Sequence, residues 1–128
     1  MTLDNAEQIE RRAAHKQPPL HGPEAFEAMR RAGQLTAQAL DLMVEHVKPG
    51  VTTEALDTIA FEFAMDHGAY PAPLFYRGYP KAICTSINHV VCHGIPNDKP
   101  LREGDIVNID ITLIVDGWHG DSSRMFYV

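Results

Sequence analysis

The run Ile106-Val107-Asn108-Ile109-Asp110-Ile111-Thr112-Leu113-Ile114-Val115-Asp116-Gly117-Trp118-His119-Gly120-Asp121 decides the fold. It reads as two β-strands joined at Asp116-Gly117. An Asp-Gly pair between alternating hydrophobic runs signals a two-residue hairpin loop, because both turn positions take φ > 0. A two-residue loop makes opposing residue numbers sum to 233, so Thr112 faces Asp121 and Asp110 faces Ser123. Asp110 and Asp121 then share one face of the sheet as diagonal neighbours, roughly 7–8 Å apart. Two acids aimed at one place repel each other unless a cation sits between them.

The competing reading is an edge hairpin with both aspartates in water. The pattern speaks against it. Val107, Ile109, Ile111, Leu113 and Val115 form one apolar face, and Ile106, Asn108, Asp110, Thr112 and Ile114 form the other. Isoleucine at both ends of the second face predicts a sheet covered on both sides, and covered acids need a partner or a cation. Asp110 and Asp121 are therefore candidate metal ligands. His119 falls on the same face and is a weaker candidate.

Upstream, Pro23 to Lys48 predicts a long helix, with Pro23 in the first turn, Glu24 and Glu27 complementing the dipole, and Pro49-Gly50 as the stop. Phe26, Met29, Ala32, Ala39, Leu40, Met43 and Val47 form its expected buried stripe. Thr52 or Thr53 caps a second helix to about His67, burying Leu56, Ile59, Ala60 and Phe63 and ending at Gly68. A loop rich in proline and aromatic residues follows from Ala69 to Pro80. Ala82 to Ile87 and His89 to Cys92 are expected strand pieces. Two helices followed by strands predict an α+β fold, an antiparallel sheet covered by two helices. Residues 1–22 read as a polar N-terminal arm, with the domain occupying 23–128 after the Gln17-Pro18-Pro19 breaker.

The chain has 128 residues, of which 45% are hydrophobic and 22% charged, enough for one domain with one modest core. A net charge of −6 argues against nucleic-acid binding, which needs a basic surface. No apolar run reaches the length of a membrane span, and the polar Met1 to Lys16 segment has no secretory core, so a cytoplasmic location is expected. Cys84 and Cys92 form no CxxC pair and are expected as free thiols.

Three segments carry a resemblance: Ser86-Ile87-Asn88-His89-Val90-Val91-Cys92-His93-Gly94-Ile95-Pro96, Gly104-Asp105-Ile106-Val107-Asn108-Ile109-Asp110, and Gly117-Trp118-His119-Gly120-Asp121-Ser122-Ser123-Arg124, with the loop Tyr76-Arg77-Gly78-Tyr79-Pro80. From about Leu20 onward the sequence resembles bacterial type I methionine aminopeptidases. The Cys92-His93-Gly94-Ile95-Pro96 string favours this family over creatinase-like or prolidase-like relatives. The resemblance implies the first half of a pita-bread fold, in which two related α+β halves enclose a dinuclear metal site. It implies removal of the initiator methionine, with the N-terminus of nascent polypeptides as substrate and the ribosome as a candidate partner.

By the same resemblance Asp121 bridges two divalent ions (Co, Mn, Fe or Zn) and Asp110 ligates one. His93 is the catalytic histidine that hydrogen-bonds substrate near the scissile peptide, and Tyr76, Tyr79 and Cys84 line the methionine pocket. Metals suit the chemistry because a bound water drops from a pKa of about 15.7 to near 7. The family also takes one histidine and two glutamates from a second half, and no position up to Val128 matches them. Two carboxylates alone would hold a divalent ion weakly. The non-enzymatic alternative is a binding fragment that pairs with a second half or self-associates through an open sheet edge.

Overall fold

The computed structural model describes residues 18–128; most of the expected N-terminal arm, residues 1–17, lies outside them. The order is α1 (Pro23–His46), α2 (Thr53–Asp66), β1 (Tyr70–Pro71), a 3₁₀ turn (Tyr76–Gly78), β2 (Cys84–Ile87), β3 (Ile106–Val115) and β4 (Trp118–Tyr127). The α+β class expected from the sequence is the one found.

The hairpin β3–β4 has the expected register, from Val115 opposite Trp118 to Ile106 opposite Tyr127. Asp116 and Gly117 both have positive φ, +49° and +81°, as a two-residue turn of this hand demands. β4 occupies one edge of β3. The other edge is shared, antiparallel throughout: β1 pairs with Leu113 and Ile114, and β2 pairs with Val107 to Asp110. β1 was not expected; a two-residue strand containing proline carries almost no sequence signal.

Val107, Ile109, Ile111 and Leu113 are fully buried, and they meet Leu40, Met43, Leu56 and Ala60 from the helices. Burying such a side chain is worth about 1.5–3 kcal/mol, so this alternation holds the sheet to its helical layer. The opposite face departs from expectation. Asn108, Asp110, Thr112 and Ile114 are half-buried, and Ile106 is exposed. Among the described residues no element covers them.

Other corrections are local. α1 ends at His46, two residues early, because the residue before Pro49 is disfavoured in helical conformation. Of the expected stripe, Ala32, Ala39, Leu40, Met43 and Val47 are buried, but Phe26 and Met29 are exposed, at 62% and 46%; Ala28 and Thr36 complete the seat of the helix in their place. Their small side chains admit the sheet closely. A Cβ added to Gly120 of β4 would lie 2.3 Å from the Ala32 carbonyl oxygen. Thr36 Oγ1 lies 2.9 Å from both the Ala32 and the Gly120 carbonyl oxygens, with a single proton to donate between them.

Thr52 is the cap of α2, its hydroxyl accepting from the Ala55 N–H at 3.1 Å. Thr53 is buried and accepts from the Asn97 N–H at 2.9 Å. His89 to Cys92 are not a strand: His89 completes a turn with Asn88, and Val90 to Cys92 are irregular. Asn88 ends β2 by adopting φ +53°, and its Oδ1 accepts from the Ile106 N–H at 3.1 Å. Asparagine tolerates this left-handed conformation better than most residues.

Candidate metal centre and substrate cleft

Asp110 and Asp121 project from the open face of the hairpin, Asp110 half-buried and Asp121 exposed. Thr112, directly opposite Asp121, donates its hydroxyl to Asp121 Oδ1 at 3.0 Å and fixes that carboxylate. The Asp110 carboxyl is held above its ordinary pKa of 3.8. Burial is the main cause; the charge of Asp121 and a hydrogen bond with it add to the rise, while nearby His93 opposes it. The two acids crowd each other, and the face supplies hard oxygen donors suited to a divalent cation. Two is also their number: among the described residues no group of three or more His, Cys, Asp or Glu side chains converges as a metal site.

His93 sits in the loop after β2 with φ +55°, a conformation that a non-glycine residue rarely holds without support. Support comes from its neighbour. Gly94 packs against β2 so closely that a Cβ would lie 2.0 Å from the Thr85 carbonyl oxygen. The Gly94 carbonyl accepts from the Thr85 N–H at 2.8 Å, and its N–H donates to Ser86 Oγ at 3.1 Å.

A cleft of about 790 Å³ opens beside the hairpin, lined in part by Tyr76, Arg77, Tyr79, His93, Thr112 and His119. Thr112 and His119 connect its wall to the aspartates' face. Tyr79 donates its hydroxyl to the Ile83 carbonyl at 2.9 Å and lies 3.2 Å from that of Gly94. Its pKa is pushed up, first by burial and then by its hydrogen bond with Cys84. Cys84 is buried and pairs with Asp110 across β2–β3, but it is not among the cleft-lining residues. Burial raises its thiol pKa, so it is a packing group rather than a ready nucleophile. Tyr76 stands 62% exposed at the mouth, with the Arg77 guanidinium 5.3 Å from its ring centre.

The structure thus groups Asp110, Asp121 and His93 on one side and Tyr76, Tyr79 and His93 around the cleft. Thr112 and Arg77 were not singled out by sequence as site residues, although the Thr112–Asp121 pairing itself followed from the hairpin register.

Residues 27–128 match the metallopeptidase family M24. The chain belongs to this family. It is 62% identical over 109 residues to a methionine aminopeptidase of Rickettsia prowazekii, covering 85% of this chain and 42% of the relative. A crystal structure of the methionine aminopeptidase from that organism superposes with a TM-score of 0.87 at 60% identity, over 88% of this chain and 45% of the other. Aminopeptidase P from Escherichia coli superposes with a TM-score of 0.71 at 29% identity, over 84% of this chain and 23% of the other. The chain therefore spans less than half the length of these M24 relatives, and its helices and sheet are those of the pita-bread fold. Among the described residues no helix is long and apolar enough to cross a membrane.

Proposed function

We propose that this M24 chain takes part in metal-dependent removal of the N-terminal methionine from newly made polypeptides in the cytoplasm, where the N-terminus of a chain leaving the ribosome would be its substrate. The observation that carries this reading is the placement of Asp110 and Asp121 as diagonal neighbours on one face, beside His93 and an open cleft. These acids would hold two divalent ions (Mn, Fe, Co or Zn) with ligands beyond those described here. When bound, such ions supply Lewis acidity at the scissile carbonyl.

The chain's own groups divide the remaining work. Thr112 orients the Asp121 carboxylate. His93, held rigidly by the Gly94 clamp, donates a hydrogen bond to the substrate peptide near the scissile bond. Tyr76 and Tyr79 flank the methionine side chain, whose thioether gains about 0.3–1.5 kcal/mol from each aromatic contact. Cys84 packs behind them. The test is hydrolysis of a Met-Gly peptide by the purified chain with Mn or Co added. Turnover that disappears in Asp121→Ala supports the reading; turnover that is the same in the parent and in Asp121→Ala overturns it.

A second reading has its own observation. Ile106, Met125 and Tyr127 share the aspartates' face and are exposed at 37%, 48% and 87%. An apolar rim around polar groups favours a chain that pairs through this face, with a separate second half or with another copy. Light scattering of the purified chain at rising concentration tests it: a strict monomer, with no metal-dependent activity gained on adding a second half, counts against it.

A further inference from the structure

Asp57 lies in the second turn of α2, only 8% exposed, although it is an acid. Both of its described hydrogen bonds go to backbone. Oδ1 accepts from the Ala82 N–H at 2.8 Å and from the Ile83 N–H at 3.0 Å. These two amides belong to the segment that enters β2, and without Asp57 they would face a buried helix surface with no acceptor.

The bonds continue beyond Asp57. The Ile83 carbonyl, one peptide away from the clamped amides, receives the Tyr79 hydroxyl at 2.9 Å. The same hydroxyl lies 3.2 Å from the Gly94 carbonyl, which is also tied to the Thr85 N–H. Gly94 directly follows His93, whose φ of +55° needs an external hold. Cys84 directly follows Ile83. One buried oxygen therefore anchors a connected set of groups that includes Tyr79 and, through Gly94, His93, both of which line the cleft.

We propose that Asp57 is a positioning residue, its Oδ1 fixing the Ala82–Ile83 backbone so that Tyr79 and His93 are held at the geometry the cleft requires. The proposal deepens the aminopeptidase reading and rests on it for the cleft's purpose. The role belongs to the acceptor position, because a single oxygen takes both amide protons. An amide oxygen in the same place does the same job, so Asp57→Asn retains the anchor and Asp57→Ala loses it. A purely electrostatic role for Asp57 predicts that the two variants behave alike.

The test reads geometry and needs no turnover. The 128-residue chain is treated with iodoacetamide, with exposed Cys92 as the internal reference for buried Cys84. Asp57→Ala is expected to raise Cys84 alkylation about tenfold relative to Cys92, since losing both amide bonds opens the segment locally. The His93 and Gly94 backbone amide resonances are expected to move with it. Asp57→Asn is expected to stay within about twofold of the parent, with those resonances unmoved. A folded Asp57→Ala with parental alkylation and parental His93 and Gly94 resonances overturns the proposal, as does Asp57→Asn behaving like Asp57→Ala.

Should Asp57→Ala fail to fold, Tyr79→Phe cuts the same connection further along. It is expected to shift the His93 and Gly94 resonances while sparing those of the Ala82 and Ile83 amides, and unmoved His93 and Gly94 resonances overturn the proposal. Loss of these geometric effects is separable from loss of the functional reading. A chain that shows them but never hydrolyses a Met-peptide keeps the anchor and loses the assigned reaction.

Discussion

Thr112 donates its hydroxyl to Asp121 across a directly opposed pair of β3 and β4, at 3.0 Å. The bond aims a carboxylate that the turn has already placed on the correct face. Removing it in Thr112→Val leaves Asp121 free to rotate while its charge is unchanged. Outer partners of metal ligands typically contribute 10–100-fold in affinity, so Mn binding by calorimetry is expected to weaken about tenfold. Unchanged affinity would mean that the carboxylate is aimed by other means.

The repulsion between the two acids is testable without any metal. Asp121→Asn removes the neighbouring charge that helps hold the Asp110 carboxyl above its usual range. The Asp110 pKa, followed by carbon NMR in metal-free protein, is expected to fall toward 3.8. Burial remains, so the fall is partial. An unmoved Asp110 titration would show that the acids do not sense each other.

Asp57 gives a pH dependence of stability with a definite sign. Burial raises its pKa, with Glu54 adding to the rise, against the pull of the Ile83 and Ala82 amides and of Lys81. The folded carboxyl therefore keeps its proton to higher pH than the unfolded one. Folding stability from this group is present below the unfolded value and falls as pH rises from there through the folded value. Asp57→Asn, which never ionises, is expected to have a higher urea midpoint than the parent at neutral pH. The two should converge below about pH 3. A less stable Asp57→Asn at neutral pH would contradict this.

The α1–β4 contact predicts a site intolerant of a single methyl group. Gly120→Ala puts a carbon 2.3 Å from the Ala32 carbonyl oxygen, against helix backbone that has no rotamer with which to yield. The cost is expected at about 1–3 kcal/mol, read as a drop of several degrees in Tm. Thr36→Val, which removes the hydroxyl shared between Ala32 and Gly120, is expected to cost about 1 kcal/mol.

At the helix cap the expectation is smaller. Thr52→Ala loses the side-chain acceptor for the Ala55 N–H and is expected to destabilise by about 1 kcal/mol in urea unfolding. An effect near zero would mean that the Thr52–Pro100 bridge and the Thr53–Asn97 bonds hold the end of α2 by themselves.

The hairpin was readable in full because its information is local: Asp116-Gly117 sets the loop, and the loop sets every opposing pair. Both helices were readable from period and capping, and so was most of the seat of α1: Ala32, Ala39, Leu40, Met43 and Val47 are buried as expected. Its first turns were not, because a hydrophobicity count favours Phe26 and Met29, whereas the close approach of Gly120 favours small residues such as Ala28 and Thr36, and that preference arises only in three dimensions. The short strand at Tyr70-Pro71 exists only because β3 is long enough to accept it. The candidate site was legible where side chains share a strand or an opposing pair, as with Asp110, Thr112 and Asp121. Asp57 was not, because its partners lie 25 and 26 residues away and are backbone amides, which carry no residue-type signal.

The tight turn at Asp116-Gly117 makes the joining loop a parity element. Adding or deleting one residue there would exchange odd and even positions along β4, sending Asp121 into the layer of Leu40 and Met43 and bringing Gly120 to the front. Changes of two residues preserve the alternation and shift only the alignment. Engineered changes at this corner are thus expected to be tolerated in steps of two better than in single steps, unless a bulge absorbs the extra residue, a restriction that reaches the acids from their connection alone.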